Sequence, residues 1–143
     1  MILDLGAPVS VAGIEWMNQY LKDHNITMED LKIIDCQQVF KFGPSKQYIS
    51  KRMVDLPVIV STLDGREDVL RVNTYLVDAD IPFLCGKSEL TEWKSKIDTE
   101  NEILETKIDG RRQNFRMVGT SGNHMALELE KNGSKRRANI IHN

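Results

Sequence analysis

Apolar positions recur along this chain at two periods, and the switch between them marks its elements. Ile14, Met17 and Leu21, with Trp16 and Tyr20, fall at helical spacing among Glu15, Asn18, Gln19, Lys22 and Asp23. A helix is predicted from about Val11 to Asp23, with Ser10 as its cap. Thr27 to Leu31 predicts a single capped turn. From Ile33 the period shortens to two. Cys36 to Phe42 predicts a strand, Gly43-Pro44-Ser45-Lys46 a turn, and Tyr48 to Val60 a second strand or a bent pair, with Pro57 marking an edge or bulge. Asp64-Gly65 is a hairpin signal. Beyond it, Val69, Arg71, Asn73 and Tyr75 alternate with Leu70, Val72, Thr74 and Leu76, a strand with one wet face.

A short apolar strand around Phe83 ends at Gly86, and Ser88 to Trp93 predicts a short helix. Lys96 to Leu104 reads as strand, polar turn, strand. Asp109-Gly110 marks another hairpin, Phe115, Met117 and Val118 lie in a strand, and a last strand runs from His124 to Leu129. Many short strands with turn signals between them predict an all-β barrel or sandwich carrying two helices. Residues 1–129 form one domain in this reading. Residues 130–143, with Lys135-Arg136-Arg137, have no apolar period and read as a disordered basic tail.

The 143 residues suffice for one real core, and 41% hydrophobic with 28% charged residues is ordinary for a globular chain. A net charge of −2 gives no overall pull toward nucleic acid or anionic membrane, so the Lys135-Arg136-Arg137 run is the one feature that could touch nucleic acid. No apolar run is long enough to span a bilayer, and no secretory leader pattern opens the chain. Cys36 and Cys85 read as small buried hydrophobes in a reduced, cytoplasmic setting. His24, His124 and His142 make no metal spacing with them, and no cofactor or metal is expected.

The candidate chemistry lies at the start. Ile2-Leu3 delivers one carboxylate, Asp4, and Gly6 allows a tight turn after it. Ile2-Leu3-Asp4-Leu5-Gly6-Ala7 resembles the hydrophobic Asp-Thr/Ser-Gly-Ala motif of the retropepsin-like aspartic proteases of retrotransposons and retroviruses. Phe40-Lys41-Phe42-Gly43 resembles the strand leading into that family's flap, and Leu84-Cys85-Gly86 its hydrophobic-hydrophobic-glycine element, with the helix behind it at Lys87 to Lys94. The resemblance runs from Ile2 to about Leu129.

The resemblance implies an acid-protease closed barrel with one or two short helices. It also implies an endopeptidase that processes a retroelement polyprotein. Asp4 would be catalytic, supported by Leu5, Gly6, Ala7, Cys85 and Gly86, and the flap would be Phe42, Gly43, Pro44, Ser45 and Lys46. Two carboxylates sharing a proton activate water in this class. One chain supplies a single Asp-x-Gly, so the resemblance implies a homodimer with a polypeptide substrate across its two-fold axis. Asp4 is then expected at the floor of a cleft opposite the Gly43 hairpin.

Three features depart from the pattern. Leu5 stands where the family has a hydroxyl, Pro8 removes an N–H beside the loop, and the family's upstream strands have no counterpart before Met1. They leave open a second expectation: a catalytically inactive domain kept as a dimerisation or peptide-binding module, or a fragment of a longer polyprotein.

Overall fold

The computed structural model describes residues 1–120, 122 and 124–129. The basic run Lys135-Arg136-Arg137 and the rest of the expected tail lie outside the described residues. Among the described residues ten strands and two helices alternate unevenly: β1 (Ile2–Leu3), β2 (Ser10–Gly13), α1 (Ile14–Asp23), a 3₁₀ turn (Met28–Asp30), β3 (Ile33–Lys41), β4 (Gln47–Ser61), β5 (Glu67–Val77), β6 (Leu84–Cys85), α2 (Lys87–Glu92), β7 (Lys96–Asp98), β8 (Ile103–Ile108), β9 (Arg111–Gly119) and β10 (Met125–Leu127).

The strands form one mixed sheet in the order β3-β4-β5-β2-β6-β1-β10-β9-β8-β7. The middle departs from sequence order. β1 and β2 do not pair with each other; β6 enters between them, parallel to β1 and antiparallel to β2. β2 is also parallel to β5, with Ala12 opposite Leu76.

The expected closed barrel is corrected to an open, strongly curled sheet. Curling brings the end of β4 against the opposite half through isolated bridges Val60–Leu129 and Thr62–Phe115. The Leu63 N–H also donates to the Asn114 carbonyl at 2.8 Å. The edge strands β3 and β7 do not join. β3 and β7 stand at opposite ends of the strand order, and β7 is only three residues long, too short to pair along the nine residues of β3.

The core follows the alternation. Leu70, Val72, Thr74 and Leu76 of β5 are buried and Asn73 is exposed. At Leu56–Val60 every residue of β4 is buried, because α1 covers one face and the curled sheet the other. Pro57 sits where β4 has run past its register with β3, which ends at Ile33–Val54. Its missing N–H leaves no ladder bond unmade. Tyr20 of α1 straddles this point: its hydroxyl donates to the Pro57 carbonyl at 3.1 Å and accepts the Ile59 N–H at 3.3 Å.

The helix expected from Val11 begins instead at Ile14. Val11 and Ala12 are strand residues between β5 and β6, buried on both sides, which erases the alternation that would mark a strand. Ser10 therefore caps nothing; the N-cap is Gly13, without a side-chain cap bond. A Cβ on Gly13 would lie 2.4 Å from the Ala79 carbonyl oxygen, so glycine is required there. The turn after Thr27 carries the expected capping box, with Asp30 accepting the Thr27 N–H at 3.0 Å. No helix among the described residues is long and apolar enough to cross a membrane.

Candidate active site

Asp4 follows β1 directly, and its backbone is held by the neighbouring strand: its N–H donates to the Cys85 carbonyl at 2.9 Å. The chain then turns. The Gly6 N–H donates to Asp4 Oδ1 at 2.9 Å and the Ala7 N–H to the Asp4 carbonyl at 3.2 Å, which aims a half-buried carboxylate by the turn that follows it. A Cβ on Gly6 would stand 3.2 Å from Asp4 Oδ1, so a small residue keeps this bond short.

The loop from Asp4 to Val9 arches over the end of β6. The Lys87 N–H donates to the Ala7 carbonyl at 2.8 Å and the Ser88 N–H to the Pro8 carbonyl at 3.1 Å. Gly86 is buried beneath the arch, and its own N–H donates to Ser10 Oγ at 2.9 Å. Asp4, Gly6, Ala7, Cys85 and Gly86 are thus brought into one bonded unit, as their spacing alone could not have required. Leu5 is different: it points out of the unit and is 59% exposed. Pro8 is exposed beside it.

Burial pushes the Cys85 thiol up to about 12, with the Glu89 carboxylate adding to the effect. A thiol so held is protonated at neutral pH and is no nucleophile. Cys36 lies far along the chain on β3, half-buried, its Sγ donating to the Ser50 carbonyl. Among the described residues no three His, Cys, Asp or Glu side chains converge as metal ligands would.

The expected flap residues form the tip of the β3–β4 hairpin. The Phe42 N–H donates to the Lys46 carbonyl at 3.0 Å, and Gly43 takes φ +83°, the conformation that favours glycine. Gly43, Pro44, Ser45 and Lys46 are exposed. Phe42 stacks near Phe40 and Tyr48, and Phe40 meets Tyr75 edge-on. Among the described residues no hydrogen bond joins this hairpin to the Asp4 loop.

Within one chain Asp4 is half-buried beside the exposed Leu5 and Gly6. A cleft of about 840 Å³ opens elsewhere, between α1, the end of β4 and β9–β10, with Met1, Trp16, Tyr20, Arg116 and Leu127 in its wall. Asp4 stays outside it because the loop rides on the rim of the sheet, where Leu5 and Gly6 meet solvent.

Two residues of the unit carry no site role in the sequence reading: Ser10, which reads as a helix cap, and Glu89, which reads only as part of the short helix Ser88 to Trp93. Both are buried and hydrogen-bonded to each other. The signal available was a lone hydroxyl inside the apolar run Val9 to Ala12.

No protein-family model matches this chain, and no curated protein is significantly similar to it in sequence.

Proposed function

We propose that this chain is a retropepsin-like aspartic endopeptidase of the retrotransposon type, active as a homodimer that pairs Asp4 of one copy with Asp4 of the other. The observation that carries this reading is the bonded unit at β1, β6 and the Gly86 turn. It holds one carboxylate at the exposed rim of the sheet, with its backbone fixed by Cys85 and its side chain aimed by Gly6.

A single such carboxylate can accept a proton but cannot also donate one. Two of them about 3 Å apart share a single proton, because both cannot ionise at that distance. The ionised Asp4 takes a proton from water as the water attacks the scissile carbonyl. The protonated Asp4 donates to the developing oxyanion, and a proton returned to the amide nitrogen lets the C–N bond break. The exposed loop supports this reading, since a group that needs a second copy must lie where a second copy can reach it. An extended peptide would lie across the axis beneath the two hairpins that carry Gly43.

The exposed Leu5 favours a second reading, an inactive domain retained for dimerisation or peptide binding. A hydroxyl at this position could hydrogen-bond across the axis and lock the two loops; leucine offers apolar area without direction.

The deciding experiment is cleavage of a mixed peptide library between about pH 4 and 7, with sedimentation to count the subunits. The chain as it stands, Leu5→Thr, and Leu5→Thr with Asp4→Asn are compared. Cleavage that rises with Leu5→Thr and disappears with Asp4→Asn is the expected result. Stable dimers without cleavage in any variant select the inactive module, and cleavage that survives Asp4→Asn removes the aspartic mechanism.

A further inference from the structure

Glu89 is 3% exposed on α2, between residues whose neighbours Leu90 and Trp93 are ordinary core side chains. A leucine would serve packing there at less cost than a buried carboxylate. What the carboxylate does is set by its partners. Ser10 Oγ and Ser88 Oγ both donate to Glu89 Oε1, at 2.5 and 2.9 Å. Ser10 Oγ in turn accepts the Gly86 N–H at 2.9 Å.

One end of this chain has a fixed direction. Gly86 can only donate, so Ser10 must receive with its lone pair and send its own hydrogen onward. Glu89 Oε1 stands at the far end as acceptor, with the Cys85 thiol also within hydrogen-bonding reach of Ser10. Cys85 is the titratable group that faces Glu89 from β6, and its protonated thiol brings no opposing charge.

The clamp grips the same short segment that grips the Asp4 loop. Cys85, Lys87 and Ser88 make the three backbone bonds to Asp4, Ala7 and Pro8, and Gly86 stands in their midst. A Cβ on Gly86 would meet the Val9 carbonyl oxygen at 2.5 Å and that of Ala7 at 2.9 Å, so the turn has little room to drift while the clamp holds.

We infer that Glu89, acting through Ser10, is a positioning residue for the Asp4 loop: its carboxylate fixes the Gly86 turn from which the loop hangs. The catalytic consequence rests on the endopeptidase reading; the structural one does not. Two loops that must bring carboxylates within hydrogen-bond distance tolerate little error, and displacements near 1 Å cost about a hundredfold in rate.

Three variants test this: Glu89→Gln, which keeps an acceptor oxygen, Glu89→Leu, which fills the space without one, and Ser10→Ala. Amide exchange followed by NMR reads the loop directly. In Glu89→Leu and Ser10→Ala the Asp4, Gly86 and Lys87 amides exchange about tenfold faster or more, while those of Leu56, Val72 and Leu104 hold their rates. Glu89→Gln keeps the parent pattern. In peptide cleavage the first two lose about tenfold or more in kcat with KM changed less than about twofold, and Glu89→Gln restores the rate.

Unchanged loop amides in Glu89→Leu overturn the inference. So does a uniform rise across all amides, which would mark general destabilisation, or a Glu89→Gln variant as impaired as Glu89→Leu. A parent chain without Asp4-dependent cleavage overturns the endopeptidase reading instead, and the exchange pattern then decides the clamp by itself.

Discussion

Gly86 lies so close to Val9 that a Cβ built on it would stand 2.4 Å from the Val9 carbonyl carbon. The contact is with backbone, which cannot rotate aside. Gly86→Ala therefore forces β6 and the Asp4 loop apart and costs about 1–3 kcal/mol or more, as overpacking in a closed site does. Gly119→Ala is the matched control, since nothing lies within 4 Å of a Cβ there. It should stay within about 0.5 kcal/mol of the parent. Urea midpoints with an unchanged slope check both values.

The Tyr20 hydroxyl is the next measurable joint. Tyr20→Phe removes the donor to Pro57 and the acceptor for Ile59 together, leaving two buried backbone groups unpaired. A loss of about 1–3 kcal/mol is expected. Calorimetry checks it, and a variant as stable as the parent would show that water satisfies both groups.

In the 143-residue chain prepared with a free Met1 amine, that amine gives a pH dependence with a defined sign. It donates to the Leu127 carbonyl at 3.0 Å, and burial lowers it from 8.0 to about 6. Between those values the unfolded chain holds the proton and the folded chain does not. Stability is thus highest above pH 8 and falls as pH drops toward 6, by up to about 2–3 kcal/mol at about 1.4 kcal/mol per unit. Acetylating the amine removes the charge in both states and should flatten this part of the profile. An unaltered slope after acetylation would assign it to other groups.

The two thiols should separate cleanly. At pH 8 the native chain exposes no reactive thiolate at Cys85, whose thiol is raised to about 12 by burial. A maleimide or iodoacetamide should modify Cys85 only after unfolding, while half-buried Cys36 reacts in the native state. Peptide mapping by mass spectrometry assigns the sites.

Local chemistry made the turns legible. Gly65 adopts φ +87° and the Asp109-Gly110 pair φ +52° and +78°, conformations that those residue types announce in sequence. The wet and dry faces of β5 were legible for the same reason, because alternation is local. β2 was not, since burial between two strands leaves a uniform apolar run that looks helical beside Ile14. Closure of the sheet was not legible either: it depends on whether β3 and β7 meet, and neither strand's own pattern says what lies across from it. At the candidate site, Asp4 and Gly6 identified a turn, and only resemblance linked it to Cys85 and Gly86. The Ser10–Glu89 bond spans most of the chain and left no periodic trace.

The narrow middle of the sheet has a consequence for how the chain acquires its shape. The β8–β9, β4–β5 and β3–β4 pairs all close over short turns. These ribbons can zip early, at little cost in chain entropy. β1 and β6 contribute two residues each and meet only when Ile2 finds Leu84, more than half the chain away. The Asp4 loop exists only after that meeting. On that ordering the hairpins are expected to form before the Asp4 carboxylate is in place, and the Asp4 loop to order only once β1 and β6 have met.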